Sequence, residues 1–359
     1  MNKNLTFFAA IIVFTLTLSF KVQAQYNGPE SVEYHSPSRT YFVSNTTSKV
    51  INRVWPGGNI SVFVNTTGLN NASPYGLEIV GDTLYACTGG RIRAYRLADS
   101  TQLFNINLNG SFLNGITHDD NGNLYITDFS AQNIYRFNTQ SRNFNIYASG
   151  IGSTPNGIIY DAYDGVNSRL VFANWGANAA IKAINIADSS ISTLTNTTLT
   201  NIDGICKGRN GMFYLASWSP DRITAYDSTF TGPPVTISTN VANPADICYN
   251  FDGDTIAVPN AGNSTVTYIG LVLTGQIETA KSESSIFPNP AETEIKIQLK
   301  EEKQNSTINF ISGNGKVIRS TIIAQSENVN ISDLPAGFYI VEISQSGRII
   351  SRTKLLICR

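Results

Sequence analysis

Four residues spread along the chain carry side-chain oxygens of the kind that hold hard cations: Glu30, Asn114, Asn156 and Asp203. Each stands second in a short phrase that returns about every forty residues. The copies read Pro29-Glu30-Ser31-Val32, Pro74-Tyr75-Gly76-Leu77, Leu113-Asn114-Gly115-Ile116, Pro155-Asn156-Gly157-Ile158, Ile202-Asp203-Gly204-Ile205 and Pro244-Ala245-Asp246-Ile247. If the copies surround a common axis, the second-slot side chains aim at one place; Tyr75 and Ala245 mark the two blades without a donor. A calcium ion takes six to eight oxygens from carboxylates, amide carbonyls and water. These four would supply two charges and two amides and leave positions for water and substrate. Zinc fits poorly, because His35 and His118 are the only histidines and the cysteines form no cluster. His118, at the edge of an Asp-rich turn, reads as a surface histidine. Asn and Asp also cap turns by accepting from nearby backbone amides. That competing account suits Asn114 and Asn156 better than Glu30.

The elements that must position these residues are strands. Phrases begin at 29, 74, 113, 155, 202 and 244, a spacing that fits four-stranded propeller blades. A second apolar strand is expected at 41–44, 84–87, 124–127, 170–173, 213–216 and 255–258. A third is expected at 50–54, 92–95, 134–137, 181–184, 223–226 and 266–269, and a fourth is visible only at 61–64, 102–106 and 143–147. These runs are rich in Val, Ile, Tyr, Phe and Thr, and Asp119-Asp120-Asn121-Gly122-Asn123 supplies hairpin chemistry between two of them. The expected fold is all-β, a six-bladed β-propeller followed by a small C-terminal β-sandwich. The inner strand starts on the face where the second strand ends. Asn45, Thr88, Asp128, Asn174 and Ser217 therefore form a second polar row at the same mouth. Trp55, Trp175 and Trp218 are expected near that rim, either to stack on a ligand or to pack between blades.

The chain has 359 residues, 14% of them charged, and a net charge of −1. No basic stripe marks a nucleic-acid partner. Lys3, an apolar run over 5–20, Lys21 and Val22-Gln23-Ala24 read as a signal peptide over 1–24. A membrane anchor is the competing reading, but the run is shorter than the roughly 20 residues a bilayer span needs. No membrane span is expected in the mature chain, and a monomer is expected. Cys206 and Cys248 share one slot in adjacent blades, where a disulfide or two buried thiols would fit. The propeller is assigned to 25–275, a charged linker to 276–285 and the sandwich to 286–359.

That tail closely resembles the C-terminal sorting domain of the type IX secretion system. The likeness rests on Pro288-Asn289-Pro290, Gly313-Asn314-Gly315, Leu334-Pro335-Ala336-Gly337-Phe338-Tyr339 and Lys354-Leu355-Leu356-Ile357. The resemblance implies export through that machinery, with the mature protein released or attached to the outer-membrane surface. Residues 28–270 resemble the gluconolactonase and regucalcin family. The Glu of the first blade, the two Asn-Gly positions and the late Asp-Gly are similar to that family's divalent-metal site. The resemblance implies a metal-dependent lactonase or esterase, with Glu30, Asn114, Asn156 and Asp203 as ligands and Asp203 as general base. Two departures bear on substrate: Phe112 stands where the family has a sugar-binding Arg, and Glu33 where it has an aromatic. The alternative is a surface-displayed binding propeller like the NHL-type modules, recognising a glycan or a protein without catalysis.

Overall fold

The computed structural model describes residues 26–68, 73–162, 168–271, 284–299, 305–312, 317–345 and 348–358. The signal peptide expected over 1–24, most of the expected linker and the Gly313-Asn314-Gly315 turn lie outside them. Every regular element described is a strand, and among the described residues no helix is long and apolar enough to cross a membrane.

Five blades are four-stranded meanders, ordered from the axis outward. Their innermost strands are Pro29–His35, Pro74–Val80, Leu113–His118, Thr154–Asp161 and Thr200–Lys207. The sixth blade has three named strands, Cys248–Asn250, Thr255–Asn260 and Thr265–Gly270. Outer strands at Ile191–Asn196 and Val235–Ser238 complete blades four and five. Their polar, half-exposed sequences hide them from a reading based on apolar runs. Each innermost strand contacts the next, and the sixth contacts the first, so the ring is closed.

The recurring phrase is a β-bulge. In blade three, Leu113 pairs with Asp128 and Ile116 with Ile126, so the inner strand spends one residue more than its partner. The same offset recurs between Pro29 and Val32, Pro74 and Leu77, Pro155 and Ile158, and Ile202 and Ile205. In blade six, Pro244 bridges Asn260 and Cys248 pairs with Ala257. A bulge frees its extra residue from the ladder and re-aims its side chain. Here the freed residues are the second and third slots of the phrase.

The third slot sets how closely blades approach. A Cβ on Gly157 would lie 2.6 Å from the Asp203 carbonyl oxygen, and one on Gly204 equally close to that of Ala245. Gly76 and Gly115 face Asn114 and Asn156 in the same way. Only at the seam between blades six and one is glycine replaced, by Asp246 and Ser31. There Asp246 N–H donates to Glu30 O (2.8 Å), and Ser31 Oγ donates to Asp246 Oδ2 (2.8 Å). Outside this ring, apolar layers such as Phe42, Ile51, Leu77 and Leu84 fill the spaces between blades. Each such side chain contributes about 1.5–3 kcal/mol when fully buried.

The tail has its own core. A three-stranded sheet (Ser284–Phe287, Glu294–Leu299, Glu327–Asn330) and a four-stranded one (Val317–Ile323, Ser306–Ser312, Gly337–Gln345, Arg348–Ile357) enclose Ile295, Ile297, Ile308, Phe310, Val341 and Leu355. Its first strand begins two residues before the expected start at 286.

Candidate functional site: the channel mouth

The bulges bring the second-slot side chains together. Asn156 Nδ2 donates to Asp203 Oδ1 at 2.9 Å, Asn114 hydrogen-bonds the Glu30 carboxylate, and Glu30 and Asp203 repel one another. All four therefore meet around one space. Asn114, Asn156 and Asp203 are only 4%, 2% and 4% exposed, while Glu30 is partly accessible from within the channel though protein encloses it. In both pairs the amide spends its NH2 on a carboxylate. Asn114 Oδ1, Asn156 Oδ1 and Glu30 Oε2 remain buried with no hydrogen-bond partner. Buried acceptors are normally satisfied, and leaving one unmade costs about 1–3 kcal/mol. Two orphaned amide oxygens and two carboxylates, one of them with an orphaned oxygen of its own, form a donor set suited to a hard cation. Among the described residues, no three or more His, Cys, Asp or Glu side chains are placed to hold a metal. The set here is carboxylate and amide in equal parts.

Electrostatics agree with that reading. Burial pushes the Asp203 carboxyl up to about 8, with Asp246 adding repulsion and Asn156 and the Trp218 indole opposing the shift. Burial first, then Asp203 and Asp246, holds Glu30 well above the usual carboxylate range. Asp246 itself is raised to about 7, chiefly by burial. Without a counter-charge, this cluster retains protons near neutrality.

Asp246 is the functional candidate that the recurring second slot did not disclose. It sits in the third slot, beside Ala245, and the signal available was a carboxylate at a position that is glycine in four copies. Further along the inner strands, Glu33 is also held well above its ordinary range by burial and by Glu78 and Asp246. His118 Nδ1 lies 2.7 Å from Glu78 Oε1, and this contact raises the histidine's pKa. His118 is half-exposed, as a surface histidine would be, and it hydrogen-bonds the Glu78 carboxylate.

The second polar row has a different task from the one expected. Asp128 accepts from the backbone N–H groups of Ser111, Phe112 and Ala131, and Asn45 accepts from Asn27 N–H. Ser217 Oγ donates to Pro220 O, and Thr88 accepts from Arg93 Nε. Rim loops have no ladder to satisfy their amides, so these side chains supply the partners. Of this row, Asn174 alone keeps a buried oxygen without a partner. Trp175 and Trp218 do stand at the mouth, and Trp218 Nε1 donates to Pro244 O (3.1 Å). Trp55 does not. It closes the third strand of blade one at the opposite face, against Arg53, beside a hollow of about 330 Å³ lined also by Asp82 and Arg96. Cys206 and Cys248 are buried free thiols, not a disulfide.

Residues 285–358 match the secretion system C-terminal sorting domain. The tail is an export address. It directs the protein into type IX secretion, so the chain is released from the cell or held at its surface. No curated protein matches the chain. Its fold is similar to that of a gluconolactonase from Xanthomonas campestris (15% identity, 68% of this chain and 86% of that one, TM-score 0.57). It is also similar to a protein of unknown function from Bacteroides thetaiotaomicron (13%, 68% and 70%, 0.55). A chain of a nidogen/laminin complex matches at 13% identity over 79% of this chain and 98% of that one, with a TM-score of 0.52. At these identities the likeness establishes the propeller fold and leaves activity to the site.

Proposed function

We propose that this exported propeller holds a divalent cation at the channel mouth through Glu30, Asn114, Asn156 and Asp203, and hydrolyses a small lactone or ester there. The observation that carries this reading is the trio of orphaned oxygens, Glu30 Oε2, Asn114 Oδ1 and Asn156 Oδ1, gathered with the Asp203 carboxylate. Calcium suits such a set, since hard oxygen ligands outnumber any other type present. The bound cation would supply Lewis-acid polarisation of the substrate carbonyl. Asp203 is the general base, taking a proton from the attacking water, and Asn156 Nδ2, donating to Asp203 Oδ1, fixes the orientation of its carboxylate. The gluconolactonase likeness in fold is consistent with this chemistry.

Metal analysis of unchelated protein should find one divalent cation per chain, and calcium should raise its melting temperature. Across a panel of lactones and esters, Asp203→Asn should abolish turnover. Protein that carries no cation and does not respond to calcium would end this reading. A second reading, a binding propeller whose cation is structural, draws on the low exposure of Asn114, Asn156 and Asp203. It prevails if the calcium-loaded protein turns over nothing on the panel.

A further inference from the structure

Five aromatic rings run around the mouth in an unbroken arc from blade two to blade five. Tyr75 meets Phe112 at 4.7 Å between centroids, Phe112 meets Phe129 at 5.3 Å, Phe129 meets Trp175 at 5.9 Å, and Trp175 meets Trp218 at 4.9 Å. The arc borders the donor set at both ends: Tyr75 occupies a second slot next to Glu30, and the Trp218 indole lies beside Asp203. Its members are fixed from behind. Phe112 N–H donates to Asp128 Oδ1 (3.0 Å), Phe129 N–H to Phe112 O (2.8 Å), and the Trp218 indole to Pro244 O. All five rings are nevertheless only half-buried, so each keeps apolar surface towards the mouth.

A polyhydroxylated ligand needs hydrogen-bond partners along with stacking. Of the row at the mouth, Asn45, Thr88, Asp128 and Ser217 are spent on the rim's own backbone and on Arg93, which leaves Asn174 Oδ1 as the one acceptor still without a partner. Sugar hydroxyls laid against the arc would lose water and gain little in return. An anionic ligand fares no better against the arc, because none of its five side chains carries a charge to pair with it. Besides that one acceptor, what the arc offers is flat apolar surface, the complement of a planar unsaturated ring.

Resting on the hydrolase reading above, we propose that Tyr75, Phe112, Phe129, Trp175 and Trp218 form the specificity wall of the mouth and select uncharged lactones or esters bearing an aromatic ring, in preference to sugar lactones. The experiment separates recognition from turnover by using lactams, which mimic the lactone ring without being hydrolysed. Calorimetric titration of the full chain in excess calcium would compare 3,4-dihydro-2-quinolone with glucono-1,5-lactam. The aryl lactam should bind at least about tenfold tighter, a difference of about 1.4 kcal/mol. Phe129→Ala and Trp175→Ala should each weaken it about fivefold or more while leaving the calcium-dependent rise in melting temperature in place. Trp175→Phe should retain most of the affinity, which guards against a variant that merely folds badly. Equal or tighter binding of the sugar lactam, no binding of either, or indifference of the folded variants would overturn the proposal. Aryl-lactam binding that depends on the arc, in a protein that hydrolyses no lactone or ester, would keep the wall and retire the hydrolase. Turnover of a sugar lactone with no aryl preference would do the reverse.

Discussion

Asp203 and Glu30 face one another across a space walled by amides that have already spent their donors, and this sets their response to pH. Asp203 is raised to about 8 in the folded protein, against about 4 for an unfolded aspartate. The folded state therefore binds more protons than the unfolded state between those values, and stability falls as pH rises through that window. In chelator, melting temperature should decline from pH 5 to pH 8. Calcium competes with protons for the same oxygens, so the rise it produces should be larger at pH 8 than at pH 5. Scanning fluorimetry at both pH values, with calcium and with chelator, would check both signs; a calcium effect that is greater at pH 5 would contradict the assignment. Asp203→Asn removes the charge without removing the bulk. At pH 8 in chelator it should melt higher than the parent, by about 2–4 °C for each kcal/mol of strain relieved, yet lose the calcium response.

At the scale of the strand, the bulge and the glycine after it do separate jobs: one turns a side chain to the axis, the other lets the neighbouring carbonyl approach. Gly157→Ala places a methyl 2.6 Å from Asp203 O, where backbone must shift. Such overpacking costs about 1–3 kcal/mol. Gly68→Ala, with nothing within 4 Å, should be close to neutral, and denaturant titration of the two variants would measure the contrast. The donor set was legible in the sequence because the phrase repeats, so Glu30, Asn114, Asn156 and Asp203 stood out as variation against a constant frame. Asp246 escaped because it varies in the glycine slot, where chemistry is not expected. The polar row at 45, 88, 128, 174 and 217 was placed correctly, but its use was not readable. Whether a rim side chain faces a ligand or a loop amide depends on the path of loops such as 109–112, which composition does not specify. The strands at Ile191–Asn196 and Val235–Ser238 were missed for a related reason: outer strands of a blade are half-solvated and need no apolar alternation.

Across the whole molecule, propeller and tail keep separate hydrophobic cores. Removing residues 276–359 should leave the melting transition and calcium response of the propeller in place while abolishing delivery to the cell exterior, which fractionation of the producing cells would show. Of the four cysteines, only Cys358 is exposed. Ellman's reagent should accordingly titrate one thiol in the native full chain and four after denaturation. The ring closes where the first and sixth blades meet, through Asp246 N–H to Glu30 O, Ser31 Oγ to Asp246 Oδ2 and the hydrogen bond between Tyr26 and Tyr268. No covalent bond joins the two ends there. Two acidic residues of the mouth belong to this clasp, Asp246 through its carboxylate and Glu30 through its backbone carbonyl, so a ligand held there also ties the first blade to the last. Outside the cell, an opened ring that is cleaved or aggregates before it recloses is lost. The lifetime of the protein is then governed by the rate at which that clasp opens, more than by the equilibrium between folded and unfolded chains.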